Sequence, residues 1–73
     1  MLREVEGIII NETSYRETSK IINVLTKEGI IGIVCKGAKS VKSPFRSFTM
    51  SLTYGKFIIY YKENSLSTLK GVD

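Results

Sequence analysis

The chain has 73 residues, a net charge of +4 from eleven Lys and Arg against seven Asp and Glu, no His, no Trp and one Cys. That length holds one domain, which buries only about 60% of the surface its unfolded chain exposes. One cysteine without histidine excludes an internal disulfide and a zinc site, the usual staples of so small a core. A module that leans on a larger body is therefore expected.

Leu2 to Ile10 alternates Leu2, Glu4 and Glu6 against Arg3, Val5 and Gly7, then turns wholly apolar. This pattern predicts a strand that starts half exposed and ends buried. Its acids stand where a signal peptide needs basic residues and only three apolar residues follow in a row, so no signal peptide is expected here, and no apolar run approaches the roughly 20 residues of a membrane span. The segment "NETSYRETSK" (residues 11–20) is polar and reads as a turn. Ser14 and Glu17 have capping-box spacing, which allows one helical turn there.

Residues 20–26, "KIINVLT", predict a second strand, "KEG" a tight hairpin turn using Gly29, and residues 30–36, "IIGIVCK", a third strand. Gly32 inside that strand suggests a bulge or sharp bend. Cys35 reads as a small buried hydrophobe, and a single free thiol suits a reducing cytosol. Ser43 and Pro44 fit an N-cap and first helical position, with Phe45, Phe48 and Leu52 spaced to plug a barrel end. The weak helix formers Thr49, Ser51 and Thr53 leave an extended path open beside the helix.

Residues 53–62, "TYGKFIIYYK", predict a fourth strand. Gly55, Phe57, Ile59 and Tyr61 lie on one face, and Tyr54, Lys56, Ile58, Tyr60 and Lys62 on the other. "EN" makes a turn and "SLSTLKGV" a fifth strand. Five short strands with a long third connection predict an all-β chain. The count and order fit a five-stranded Greek-key OB-fold barrel with one short helix between strands 3 and 4, and an SH3-like barrel competes.

The charge is segregated. Residues 1–28 hold four basic and five acidic residues; residues 29–62 hold six basic residues and no acid. Four cations, Lys36, Lys39, Lys42 and Arg46, crowd into "CKGAKSVKSPFR" (residues 35–46). A loop kept polar only for solubility usually mixes signs, so this one points to a polyanion. Tyr54, Lys56 and Tyr60 on one pleat face are suited to single-stranded nucleic acid, where bases stack on rings and ammonium groups follow phosphates. The plain alternative is that the tyrosines cover a barrel edge with wet hydroxyls. Catalysis finds no support. There is no His, no nucleophile has a base beside it in sequence, and "KGAKS" lacks the glycine pattern of a P-loop.

The stretch "YRETSKIINVLTKEGIIGIVCKGAKSVKS" (residues 15–43) resembles the N-terminal domain of the RecO family of bacterial recombination mediators. The shared elements are Tyr15-x-Glu17-x-x-Lys20-Ile21, a strand, an acidic-Gly turn, a strand, Lys36-Gly37-Ala38-Lys39, and Lys42-Ser43. The closing "LSTL" (Leu66 to Leu69) is similar too. Met50-Ser51-Leu52 stands where the family commonly shows a Gln-Pro-Phe-like element. The family's helical and zinc-binding C-terminal part is missing, so residues 1–73 are expected to be the OB domain of a longer protein.

The resemblance implies a non-enzymatic, cytoplasmic, nucleoid-associated role in DNA repair without a cofactor. The family binds single- and double-stranded DNA, anneals complementary strands, and works with RecR, in some species with RecF, to load RecA onto strands coated by single-strand-binding protein. It places Lys36, Lys39 and Lys42 in the family's basic loop and Lys20 at its basic strand start, with Arg16 in a variable slot beside them. Two other functions stay open: a protein-interaction module docking RecR or an acidic partner through the same loop, and an RNA-binding OB domain.

Overall fold

The computed structural model describes residues 1–40 and 42–73. Five strands follow one another: β1 Leu2–Tyr15, β2 Ser19–Thr26, β3 Gly29–Cys35, β4 Tyr54–Tyr60 and β5 Ser67–Val72. They close a barrel in the order β1-β2-β3-β5-β4, with β1 and β4 paired across the closure. All neighbours are antiparallel except β3 and β5, which meet in parallel through Ile33↔Ser67 and Val34↔Thr68. This is the OB-fold arrangement, and it removes the SH3-like alternative. Among the described residues, no helix is long and apolar enough to cross a membrane.

Alternation along each strand fills the barrel. Val5 and Ile9, Ile22 and Val24, Ile33 and Cys35, Phe57 and Ile59, and Leu69 are buried. Their sequence neighbours point outward, as a pleat of period two requires. Cys35 is one of these core residues, fully buried, and burial pushes its thiol up to about 12.

β1 has 14 residues because it serves two partners. Leu2 to Ile8 pair with β4, and Ile8 to Tyr15 pair with β2, with a register shift between Ile9 and Asn11. Where the partners change, β1 presses onto β2. A Cβ at Gly7 would lie 2.1 Å from the Leu25 carbonyl oxygen, so only glycine fits.

Several expectations need correction. The polar stretch after Ile10 continues the strand to Tyr15 instead of turning. Its side chains are satisfied across the ladder: Asn23 Nδ2 donates to Asn11 Oδ1 at 2.7 Å, and Lys20 Nζ to Glu12 Oε1 at 2.9 Å. No helical turn forms at the Ser14–Glu17 spacing. The chain reverses there through Arg16, whose φ is 60.

Gly32 marks no bulge. Its register with Asn23 is regular, and the glycine makes room for Leu66, whose Cδ2 would lie 2.8 Å from a Cβ. Ser43 does not cap a helix; its hydroxyl accepts from Phe45 N–H. The one helical segment among the described residues is a 3-10 turn over Ser47–Thr49, entered at Arg46 without a side-chain cap. Phe45 packs against the core, whereas Phe48 and Leu52 point to solvent. The barrel end is closed by Ala38, Phe45 and Thr49, the last donating its hydroxyl to the Phe45 carbonyl at 2.8 Å.

Candidate nucleic-acid interface

The Lys36-Gly37-Ala38-Lys39 element is a turn at the exit of β3. Gly37 takes a φ of 70, which a side chain would strain. Ala38 is fully buried, and both flanking lysines are exposed. Two hydrogen bonds staple the turn to the β1–β2 connection and the start of β2: Gly37 N–H donates to Ser19 Oγ at 3.2 Å, and Lys39 N–H to the Thr18 carbonyl at 2.9 Å. This staple brings Arg16 and Lys36 to one place.

Between them runs an open groove of about 530 Å³, lined by Tyr15, Arg16, Thr18, Ser19, Val34, Lys36, Gly37 and Thr68. No carboxylate lines it. The Arg16 guanidinium lies over the Tyr15 ring, 5.1 Å from its centroid. Sequence reading passed over Tyr15 and Thr68; the signal available for Tyr15 was its position beside Arg16.

The other basic residues of the loop follow on the β3–β4 connection. Lys39 Nζ donates to Ser14 Oγ at 3.2 Å, and Lys39 and Arg46 share a second, smaller groove with Glu12, Lys20, Ala38 and Met50. Lys42 and Arg46 are exposed; Val41, between Lys39 and Lys42, lies outside the described residues.

Lys20 stands apart from these. Its side chain is 8% exposed, and its ammonium forms the one ion pair among the described residues, with Glu12. The hydrogen bond from Lys20, then that from Ser51 N–H, holds the Glu12 carboxyl below the ordinary glutamate value. Lys20 thus spends its charge on Glu12, whose other carboxylate oxygen accepts from Ser51 N–H and so holds the β3–β4 connection.

The β4 face divides. Tyr60 pairs with Thr68 on β5, which itself lines the groove, so it stands one strand from the groove edge, roughly 5 Å, and two strands from Val34 on β3. Tyr54 sits at the other end of β4, opposite Ile8. Its hydroxyl donates to Glu6, which raises its pKa. Lys56 lies directly opposite Glu6, and Ile58 opposite Glu4. Tyr54 and Lys56 therefore face a line of carboxylates, and the fold does not bring them together with the basic loop.

The family described as "Recombination protein O N terminal" matches residues 1–73. A protein of Listeria monocytogenes serotype 4b called "DNA repair protein RecO" is 43% identical over 70 residues, 94% of this chain and 27% of that protein. Proteins of the same name are 42% identical over 60 residues in Bacillus cytotoxicus, covering 81% of this chain and 24% of that one, and 36% identical over 70 residues in Lactobacillus helveticus, covering 94% and 28%. The chain thus spans about a quarter of the length of these relatives. With the family matched from end to end, this chain belongs to the RecO N-terminal domain family.

Proposed function

We propose that residues 1–73 act as one OB-fold domain, the N-terminal part of a longer recombination mediator. Its task is to hold DNA, single-stranded above all, by charge and stacking without reading sequence. The observation that carries this reading is the groove beside the Lys36 turn. It offers an aromatic ring, a guanidinium and an ammonium without a lining carboxylate. Three further exposed cations, Lys39, Lys42 and Arg46, extend the positive field along the β3–β4 connection.

A strand laid from the groove onto this connection meets Arg16, Lys36, Lys39, Lys42 and Arg46. Bases stack on Tyr15, with Tyr60 within reach of a second base. Lys20, Tyr54 and Lys56 fall outside the path. The domain has no catalytic role in this reading. It works in the bacterial cytoplasm on the nucleoid, where the full-length protein supports annealing and RecA loading together with RecR, RecF and single-strand-binding protein.

Fluorescence anisotropy of a short oligo-dT tests the reading. Five phosphate contacts to a single strand give a slope of log K against log salt near −3.5, about −0.7 for each contact. Lys36→Ala or Lys39→Ala is expected to weaken binding to every sequence alike and to bring the slope about 0.7 closer to zero. A slope near zero for the unaltered protein refutes the reading.

One observation favours a second reading, a protein-docking role for the same loop: Phe48, Met50 and Leu52 expose 50%, 53% and 75% of their surface beside Arg46. Competition separates the two. RecR that displaces oligo-dT shares the surface, and RecR that binds alongside DNA does not.

A further inference from the structure

The end of the barrel away from the Lys36 turn carries the opposite chemistry. Ile30 pairs with Leu25, Leu25 with Ile8, and Ile8 with Tyr54, so four outward side chains form one row across β3, β2, β1 and β4. The row is about 14 Å long at the usual strand spacing. Ile30 is 60% exposed, Leu25 46% and Tyr54 64%. Next to it lies an open groove of about 400 Å³ whose lining includes Ile8, Leu25, Tyr54, Glu4, Glu6 and Glu28. Three of the chain's seven acids thus gather at this groove, and Lys27 is the one cation lining it.

A backbone edge is open beside the row. β3 pairs with β2 along its whole length, but with β5 only at Ile33 and Val34. Its residues Gly29 to Ile31 are left with a strand on one side only, while Leu66 lies against Gly32. Apolar side chains at this exposure on a sheet surface are a recognised mark of a docking surface, and an unpaired edge accepts an extended segment.

From this charge complementarity we infer that the face docks a polypeptide segment carrying basic and apolar side chains in alternation. Its apolar side chains cover Ile30, Leu25 and Ile8, and its cations meet Glu4, Glu6 and Glu28. The carboxylates repel a nucleic-acid backbone, so the segment and DNA occupy opposite ends of the barrel and bind together. The inference does not depend on the DNA-binding reading.

The test uses a fluorescein-labelled octapeptide of alternating Lys and Val, a matched Glu/Val octapeptide, and oligo-dT, each titrated into the intact protein. The Lys/Val peptide is expected to bind and the Glu/Val peptide not. Leu25→Ser with Ile30→Ser, and separately Glu4→Gln with Glu28→Gln, should each weaken the Lys/Val peptide at least tenfold. Both pairs alter exposed side chains, and a cooperative thermal unfolding transition followed by circular dichroism reports whether the fold survives. Unchanged peptide affinity in both double variants overturns the inference, as does displacement of the peptide by oligo-dT. Self-association of the protein that both variants abolish also overturns it, by making a second copy the occupant.

Discussion

Removing either member of the Lys20–Glu12 pair should have very unequal consequences. The Lys20 side chain is 8% exposed and that of Glu12 is 34% exposed. Glu12→Gln leaves a buried ammonium without its counter-charge. Breaking a buried pair in this way costs about 3–5 kcal/mol, and partial solvent access at Glu12 reduces this to about 2 kcal/mol. Lys20→Met keeps the apolar stem and removes the charge that has to be buried. The Glu12 carboxylate it leaves behind still reaches water and still accepts Ser51 N–H at 2.6 Å, so the cost should stay near 1 kcal/mol or below. The double variant should be more stable than Glu12→Gln alone.

Urea unfolding reads all three, with an unchanged m-value showing that the same surface is exposed each time. The pH dependence supplies a second check. Because the folded-state pKa of Glu12 lies below its ordinary 4.5, the pair's contribution is complete above that value. It is lost as pH falls through the folded value. The advantage of the unaltered protein over Glu12→Gln should therefore be constant near neutrality and shrink below about pH 4.5. A Lys20→Met variant less stable than Glu12→Gln, or strictly additive effects in the double variant, refutes the reasoning.

Two glycines should respond oppositely to the same added methyl group. Gly7→Ala drives a Cβ against the Leu25 backbone carbonyl and should cost about 3 kcal/mol or prevent folding; Gly32→Ala meets only the end of the exposed Leu66 side chain and should stay within about 1 kcal/mol of the parent by thermal unfolding. The Cys35 thiol, fully buried and raised to about 12, should resist a disulfide reagent at neutral pH and react only at the rate of unfolding. Tyr54 should ionise above the ordinary tyrosine value of 10, because its hydroxyl donates to the Glu6 carboxylate, and Glu6→Gln should bring it back toward that value in a phenolate absorbance titration.

The barrel was legible wherever one face of a strand is apolar. Phe57 and Ile59 against Lys56 and Tyr60, and Ile22 and Val24 in β2, alternate clearly enough to fix both strand and facing. The signal failed where β1 leaves the core. Asn11 to Tyr15 have polar side chains on both faces, so period-two hydrophobicity vanishes although the ladder with β2 continues. The helix expected after Ser43 failed for a related reason. Its spacing proposed Phe45, Phe48 and Leu52 as one buried stripe, but the segment is mostly turn, and only Phe45 reaches the core.

The proposed interface was legible in the basic loop because its cations are neighbours in sequence, and a turn needs only a few residues to point them outward together. The tyrosine face could not be judged that way. Whether Tyr54 and Lys56 can meet a phosphate depends on what stands on the next strand, and that strand begins some fifty residues earlier, at Leu2. The β1–β4 register sets Glu6 opposite Lys56 and Glu4 opposite Ile58. A phosphate approaching Lys56 therefore meets a carboxylate one strand away, at about 5 Å, where like charges opposite one another destabilise. The same register carries Tyr60 away from those acids to Leu2 and Thr68. One alternating stretch of sequence is thus divided between two surfaces of opposite charge, and the division is made by pairing.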